Sequence, residues 1–549
     1  MARLLETIRD LGRDDLRLFA RIHSGGGWTD VSYAELWERS LAFAGLYRAS
    51  GLLPDDVVCL VVKPDADAYA CFIGAMMAGG LPSFLPYPNS KHDTGLYWTQ
   101  HRTLFQHARP RLILTWDGLA PEMEACAEGS AARVLRLSEA VGAEPLAAPV
   151  PRGEDDLALL QHSSGTTGLK KGVALSYGAI ARQVEAYANS LGVRPDRLPV
   201  VASWLPLYHD MGLVSSFLLP LSLGGSIVSI DPFVWTSRPT LLWDAVERFR
   251  ATHAWMPNFA FQHTVRMAPP GRNWDLRSLE ALVSCSEPCK AATFGAFLAR
   301  YADSGVRPQT LRTCYAMAET VFAVSQSTPE APPRRLTVSR ASLEHEGPVE
   351  LASDGVELLS NGPLLDGMQA RIRANGATAG EGMMGEICVR APFLFDGYYK
   401  NPEATAAAFD ADGWYRTGDL GFLDQGELFV AGRLKDVIIV NGKNIFSHDV
   451  EAALLGIRGL KAGRAVAIGQ FDPALGSEKL IVIAEVEGEH DPSAVMAEIN
   501  RAVLRETGVP CGDVRLVERG WLIKTTSGKI SRSENLKRYE ARFGAGSQT

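Results

Sequence analysis

Short apolar runs that alternate with helix-like stretches constrain the fold of this chain more than any other feature. Residues 57–62 read VVCLVV, and residues 111–115 (RLILT) form a second run of this kind. A strand that is apolar on nearly every residue is buried on both faces, as in parallel sheets covered by helices. Helical patterns at 34–49 and 241–250 separate these runs from others like them. The sequence therefore predicts an α/β fold with mainly parallel, layered sheets.

The sequence pattern changes three times beyond residue 325. Residues 327–356 begin STPEAPPRR and lack periodicity, which predicts an insertion or a linking loop. Residues 357–432 hold short strand-like runs and turns, which predict a small β-rich unit. A strand and a helix pattern after residue 432 predict a compact α+β domain. Because 549 residues exceed what one core supports, we expect an N-terminal domain at 1–432 and a C-terminal domain at 433–549.

Charge and composition argue against several classes of protein. The net charge is -8, which disfavours a general nucleic-acid binder. No apolar stretch reaches the roughly 18 residues of a membrane span, and the N-terminus lacks a signal-peptide pattern, so a cytoplasmic protein is expected. The eight cysteines are scattered without C-x-x-C spacing, so neither a zinc site nor a disulfide framework is expected.

A run of small and hydroxylated residues follows the apolar stretch at 157–160, which reads as a buried strand. In parallel α/β sheets ligands bind at the carboxyl ends of strands, and this run is expected to lie there. Glycines let successive backbone N–H groups point at an anion, and hydroxyls and lysines add donors and positive charge. The spacing differs from the G-x-x-x-x-G-K-[ST] phosphate loop of nucleotide triphosphatases. The run predicts a phosphate-binding loop, and its residues are Ser163, Ser164, Gly165, Thr166, Thr167 and Gly168, followed by Leu169, Lys170 and Lys171.

Five separate segments, in the same order, resemble the motifs of the adenylate-forming enzymes. This family includes acyl-CoA synthetases, acyl-AMP ligases, luciferases and the adenylation domains of peptide synthetases. The resemblance extends over nearly the whole chain, and it implies a large AMP-binding domain followed by a small, mobile C-terminal domain. The segments are SSGTTGLKKG at 163–172, YAMAE at 315–319, YRTGD at 415–419, GRLKDVIIVNGKN at 432–444 and KTTSGKISR at 524–532.

The resemblance implies a role for each of these segments in the attack of a carboxylate on the α-phosphorus of ATP. Two anions must meet in this reaction, so positioning and charge neutralisation carry the catalysis. The loop with Lys171 would hold the β- and γ-phosphates, and Glu319 would hold Mg²⁺. Asp419 would accept the ribose hydroxyls and Arg433 would add a second ribose contact. Lys529 would bridge the carboxylate and the α-phosphate in the transition state.

Further nucleotide contacts and a hinge follow from the same resemblance. Lys435 falls at the family's hinge, about which the small domain swings between two half-reactions. Additional ATP- or AMP-binding residues are expected in two segments, as Ser286, Glu287 and Pro288, and as Tyr315, Ala316, Met317 and Ala318.

Two segments are similar to the fatty acyl-AMP ligase branch of the family. Residues 204–213 read WLPLYHDMGL and residues 257–260 read PNFA. In that branch an extra segment, here at 327–356, is thought to restrain the small domain and disfavour CoA. The resemblance implies a catalytic role for His209, although a packed core histidine is the alternative. The implied acyl pocket is mostly apolar, with Trp235, Asn258 and Phe259 as its walls beside Met317.

The sequence thus predicts an ATP- and Mg²⁺-dependent acyl-AMP ligase that loads a hydrophobic acid onto an acyl carrier protein. A complete acyl-CoA synthetase is the first alternative. A non-catalytic nucleotide- or acyl-binding relative is the second, although Glu319, Asp419 and Lys529 are all present. An amino-acid adenylation domain is a further alternative, and such domains usually carry a pocket aspartate that pairs with the amino group of the substrate.

Overall fold

The structure is a computed structural model in which helices pack against several sheets. The predicted α/β class is confirmed, with layered sheets in the first part of the chain and a smaller α+β unit at its end. The residues that it describes are 2–24, 26–89, 94–162, 171–440, 443–472, 477–524 and 529–543.

The largest sheet has eight strands, and its six central strands are parallel. The two edge strands pair antiparallel with their neighbours. Most residues of the central strands are buried, which explains why their sequences lack a polar face. In spatial order the strands are Ala323–Gln326, Leu311–Ala316, Ala281–Ser284, His253–Met256, Val200–Ser203, Ser226–Ile230, Leu18–Ser24 and Gly27–Ser32.

A second, four-stranded sheet is parallel throughout. It contains two of the apolar runs in the sequence, and all residues of these two strands are buried. The strands, in spatial order, are Leu81–Phe84, Val57–Val61, Leu112–Thr115 and Arg133–Arg136.

The strands that flank the predicted phosphate loop are antiparallel. Leu157–His162 and Gly172–Ser176 pair with His162 opposite Gly172, and Gly397–Tyr398 adds a third strand. The expectation from the sequence placed this loop at the carboxyl end of a strand in a parallel sheet. The loop instead joins two strands of a hairpin, because Gly172–Ser176 turns back along its predecessor rather than leading into a helix.

The β-rich unit predicted after residue 356 is an antiparallel sheet of six strands. Beside it, Arg335–Val338 pairs with Val356–Leu359, and Arg340–Glu344 is a helix. The segment 327–356 is thus more ordered than a linking loop, because Val338 and Leu343 are buried against the sheet. The six strands are Ala377–Ala379, Gln369–Ala374, Met383–Arg390, Tyr415–Asp424 and Glu427–Arg433, with Gly347–Pro348 beside the third.

The last hundred residues form an α+β unit with apolar clusters of its own. The hairpin Val437–Val440 with Lys443–Phe446 follows the β-rich unit directly. The other elements are the strands Leu460–Asp472, Ser477–Val486 and Asp513–Val517 and the helices Ser447–Ala453, Pro492–Thr507 and Arg532–Phe543.

The remaining helices cover the sheets of the first part of the chain. Several begin at side-chain caps, as at Ser32 and Ser176, whose hydroxyls accept from backbone N–H groups three residues later. Within the described ranges, no helix combines the length and apolarity that crossing a bilayer requires. The helices are Ala2–Leu11, Tyr33–Ala49, Ala66–Met77, Thr94–Ala108, Ala120–Ala127, Tyr177–Leu191, Leu219–Leu223, Pro232–Ser237, Leu241–Phe249, Asn258–Met267, Ala291–Arg300 and Pro402–Ala408, with a π-helix at Met211–Leu218.

Candidate active site

A buried carboxylate, Asp419, is held by two donors from different elements. The Tyr315 hydroxyl donates to Asp419 Oδ2 at 2.6 Å, and Arg433 Nε donates to Oδ1 at 2.9 Å. Arg433 lies opposite Asp419 in the pairing of the last two strands of the β-rich sheet. Burial raises the pKa of Asp419, while Arg433 and Tyr315 oppose that rise. Both oxygens are therefore fixed in place before any ligand arrives.

Glu319 lies on a short turn, Ala318–Thr320, directly after the strand that carries Tyr315. Its Oε1 accepts a hydrogen bond from the Tyr398 hydroxyl at 2.9 Å. Lys171 Nζ lies 4.3 Å from the centroid of the same tyrosine ring, a cation–π contact. Tyr398 thus brings the end of the predicted phosphate loop to the predicted metal ligand.

The turn that carries Glu319 is closed by a strained residue. Val321 has φ 63° and ψ -53°, a region that β-branched residues rarely adopt. Its side chain is fully buried. Backbone strain of this kind persists only where the surroundings over-determine it, and it concentrates at functional sites. The strain is therefore consistent with a turn whose backbone holds Glu319 in a fixed position.

The exposed Lys529 reaches across to the large part of the chain. Its Nζ donates to the backbone oxygen of Ser286 at 2.7 Å, 243 positions away in sequence. Ser286 has φ 69°, in the left-handed region. The neighbouring Glu287 accepts from the Phe259 N–H at 2.9 Å, and burial raises its pKa while Lys529 lowers it. Lys529 therefore meets the predicted nucleotide-binding segment at 286–288.

Asp210 lies within electrostatic range of Lys529, Arg433 and Glu319, and the sequence-based prediction did not include it as a site residue. Burial raises its pKa, and the positive charges of Lys529 and Arg433 oppose the rise. Its own charge raises the pKa of Glu319. It also caps the π-helix at Met211–Leu218, an element often found at functional sites. Its position in the WLPLYHDMGL segment was the available signal.

Tyr398 is the second residue that the prediction omitted. It lies in a two-residue strand, Gly397–Tyr398, in a part of the sequence that carries none of the quoted motifs. Burial and the Glu319 charge both raise the pKa of its hydroxyl, so the hydroxyl stays a hydrogen-bond donor. Only the pairing of this strand with Gly172–Ser176 brings it to the site.

The predicted acyl-pocket residues form an aromatic cluster beside Ser286 and Glu287. The Trp204 and Trp235 rings stack with centroids 3.6 Å apart, and the Phe259 ring lies edge-on, 6.3 Å from that of Trp204. Trp235 is buried, whereas Phe259 is 45% exposed. Asn258 accepts from the backbone N–H of Lys290. The cluster is connected to the Lys529 region through the Phe259–Glu287 hydrogen bond.

The remaining predicted site residues lie on several different turns and strands. His209 is half-buried, and its ring lies 5.4 Å from that of Tyr208, its neighbour in sequence. Lys435 is exposed, on the turn Leu434–Asp436. Ala316, Met317 and Ala318 follow Tyr315 into the Glu319 turn, and Pro288 is exposed after Glu287. The loop residues Ser163, Ser164, Gly165, Thr166, Thr167 and Gly168 lie outside the described residues.

Among the described residues, no group of three or more histidine, cysteine or acidic side chains is arranged as a metal cage. Mg²⁺ does not need one, because it binds through one or two carboxylates, substrate phosphates and water. Glu319 fits this requirement, since Tyr398 contacts only one of its two carboxylate oxygens. The site thus combines anchored carboxylates with the cations Lys171, Arg433 and Lys529, an arrangement suited to a polyphosphate and its metal.

Comparison with known proteins identifies the family of this chain. The sequence model described as AMP-binding enzyme matches residues 14–399. The chain belongs to this family of AMP-binding, adenylate-forming ligases.

Three curated relatives align with nearly the whole chain. A 4-hydroxyphenylalkanoate adenylyltransferase of Mycobacterium marinum is 30% identical and aligns over 93% of this chain and 86% of its own length. The long-chain-fatty-acid–AMP ligase FadD26 of Mycobacterium bovis is 30% identical over 94% and 92%. A putative acyl-CoA synthetase of Caulobacter vibrioides is 31% identical over 93% and 90%.

Solved structures share the fold. One chain from a study of fatty acyl-adenylate ligases of E. coli and L. pneumophila has a TM-score of 0.90. It is 24% identical, and the match covers 99% of this chain and 98% of that one. The likeness confirms the adenylate-forming fold predicted from the five sequence segments.

Proposed function

We propose that this enzyme converts a hydrophobic carboxylic acid into its acyl-AMP and then passes the acyl group to a carrier-protein thiol. A carboxylate oxygen of the acid bonds to the α-phosphorus of ATP, and the bond to the β-phosphate bridge breaks to release pyrophosphate. The phosphopantetheine thiol then attacks the acyl carbon and AMP leaves. The contact of Lys529 with Ser286, at 2.7 Å, is the observation that carries the proposal.

Each charged group has a place in the first step. Lys529 offsets the charge that builds between the carboxylate and the α-phosphate. Asp419, with both oxygens oriented by Tyr315 and Arg433, accepts the ribose hydroxyls. Lys171 neutralises the departing pyrophosphate. Glu319 would hold Mg²⁺, which when bound would supply Lewis-acid stabilisation of the phosphate oxygens. The proposed boundary between the two domains lies at 432/433, and Lys435 is the proposed hinge.

The substrate class in this proposal is a fatty or other largely apolar acid, including aromatic acids. Two relatives are named for fatty-acid and 4-hydroxyphenylalkanoate adenylation. The Trp204, Trp235 and Phe259 cluster next to Ser286 and Glu287 provides apolar walls for such a group.

The acceptor is proposed to be a carrier protein because the segment 327–356 contacts the small unit. Arg340 and Glu506 form an ion pair at 3.1 Å, and Lys443 pairs with Glu344 at 3.2 Å. The Asn444 side chain also donates to the backbone oxygen of Glu344 at 2.5 Å. These contacts fit a segment that restrains the small unit and disfavours CoA. The acyl-CoA synthetase relative keeps CoA as the second candidate.

The first experiment supplies ATP, Mg²⁺ and a panel of fatty, aromatic and alicyclic acids, and detects products by mass spectrometry. We expect acyl-AMP to form, and its acyl group to be transferred to phosphopantetheinylated carrier protein and not to CoA. A Lys529→Ala variant should lose most acyl-AMP formation. Undiminished formation in that variant would remove the assignment of Lys529, and wild-type protein that forms no acyl-AMP from any acid would contradict the proposal.

Point variants test the acceptor better than deletion of 327–356, because deletion would expose the apolar surface that Val338 and Leu343 cover. The combined Arg340→Gln and Glu344→Gln variant removes the two ion pairs with the small unit and leaves the apolar side chains of Val338 and Leu343 in place. Acyl-CoA output should rise in this variant. An unchanged ratio of CoA to carrier product, in a protein with wild-type thermal stability, would contradict the restraint.

A further inference from the structure

One guanidinium, that of Arg532, joins four elements of the small unit. Arg532 Nη1 donates to Asp436 Oδ2 at 2.9 Å, and Nη2 donates to Glu451 Oε2 at 2.7 Å. Glu451 Oε1 in turn accepts from the backbone N–H of Ala467 at 3.1 Å. The backbone oxygen of Asp436 accepts from the Ser447 hydroxyl at 2.8 Å. The hinge turn, a helix, the edge strand Leu460–Asp472 and the last helix are therefore linked through Arg532.

The position of Arg532 in the chain relates this cluster to the site. Arg532 is the first residue of the last helix and lies three positions after Lys529. Asp436 is the last residue of the turn Leu434–Asp436. The segment that carries Lys529 is thereby tied to the end of the hinge turn on the side of the small unit.

The hinge turn has one ion pair on each side. Arg433, before the turn, pairs with Asp419 of the β-rich sheet, whereas Asp436, at its end, pairs with Arg532 of the small unit. Leu434 and Lys435 lie between the two pairs and are exposed. A rotation confined to these two residues would leave both pairs intact and would move Lys529 together with the end of the turn.

We propose that Arg532 is a positioning residue for Lys529, which it couples rigidly to the hinge. The proposal rests on the proposed function, in which Lys529 acts on the acyl and phosphate oxygens. A misplacement of about 1 Å can cost about 100-fold in rate, so loss of this tie lowers the rate of acyl-AMP formation and leaves ATP binding in place. Lysine cannot replace arginine here, because one ammonium lacks the planar fork that spans two carboxylates.

The test compares Arg532→Lys in the wild-type and Lys529→Ala backgrounds. Acyl-AMP formation is measured by pyrophosphate exchange, and thermal midpoints monitor folding. In the wild-type background we expect a loss in kcat of about 10- to 100-fold with KM for ATP within about twofold. In the Lys529→Ala background the same substitution should change the residual rate by less than about twofold, because effects that act through one residue are not additive. The control is Arg501→Lys, because Arg501 is an exposed residue of the same unit, and its kcat and KM should match the wild type.

The outcomes separate the two proposals. Equal losses from Arg532→Lys in both backgrounds, or no loss in the wild-type background, would overturn the positioning role and leave the proposed function standing. An undiminished rate in Lys529→Ala alone would overturn the assignment of Lys529 and the positioning role with it. If Arg532→Lys folds poorly, Asp436→Ala removes the same tie from the hinge side and should show the same dependence on Lys529.

Discussion

Replacing Tyr315 with phenylalanine tests whether Asp419 is pre-oriented for the nucleotide. The substitution removes the donor that lies 2.6 Å from Asp419 Oδ2 and keeps the ring. Asp419 is 3% exposed, so water replaces the lost donor poorly. A hydrogen bond to a charged group contributes about 1.5–3 kcal/mol, which corresponds to about 10- to 150-fold in kcat/KM for ATP. Because Arg433 still holds Oδ1, we expect a loss near the lower end, about tenfold.

The pH dependence gives a second readout of the same change. The Tyr315 hydroxyl lowers the pKa of Asp419 against the rise that burial causes. Without the hydroxyl that pKa moves higher, so the protonated form, which lacks the charge and turns one acceptor oxygen into a donor, persists to higher pH. The acid limb of the pH profile of kcat/KM for ATP should therefore shift to higher pH in Tyr315→Phe.

Both readouts come from pyrophosphate release at varied ATP and pH, with one saturating acid. Tyr177→Phe is the matched control, because its ring is also buried and its hydroxyl lies outside the candidate site. Wild-type kcat/KM and an unmoved acid limb in Tyr315→Phe would refute the pre-orientation of Asp419. If the thermal midpoint of Tyr315→Phe falls without any kinetic change, the Tyr315 hydroxyl contributes to the stability of the fold alone.

Three further predictions concern the metal ligand, the carboxylate Glu451 that pairs with Arg532, and the close approach of Gly362 to the backbone of Gln326. Glu319→Gln should raise the Mg²⁺ concentration for half-maximal acyl-AMP formation at least about tenfold, and a titration that matches wild type would exclude Glu319 as the ligand. Burial raises the pKa of Glu451 to about 7, so the folded chain binds this proton more tightly than the unfolded chain. Relative to Glu451→Gln, the wild type should lose about 2–3 kcal/mol of stability as pH rises from about 4.5 to about 7; parallel plots of thermal midpoint against pH would contradict this. Gly362→Ala should lower the midpoint more than Gly376→Ala, because both have positive φ but only at Gly362 would a Cβ lie 2.2 Å from the backbone of Gln326; equal midpoints would show that this backbone relaxes.

Local sequence patterns were enough to predict most of the secondary structure. The predicted strands at 57–62 and 111–115 are Val57–Val61 and Leu112–Thr115, and the predicted helix at 34–49 is Tyr33–Ala49. These elements can be predicted because the spacing of apolar residues along the chain shows which side chains are buried in a helix or a strand. The segment at 327–356 was harder to predict, since its strand Arg335–Val338 is defined by a partner twenty residues away.

The sequence alone determined the family and the residues of the five motifs, because each motif is a short stretch whose chemistry does not depend on its neighbours. Only the tertiary structure decided which of these residues meet. Asp210 is related to the site by its electrostatic interaction with Lys529 and Arg433, and Tyr398 by the pairing of its strand. Arg532 is related to the proposed hinge by its ion pair with Asp436. Such contacts join residues that are tens to hundreds of positions apart, and side-chain charge and distance in space, rather than any local pattern, set their strength.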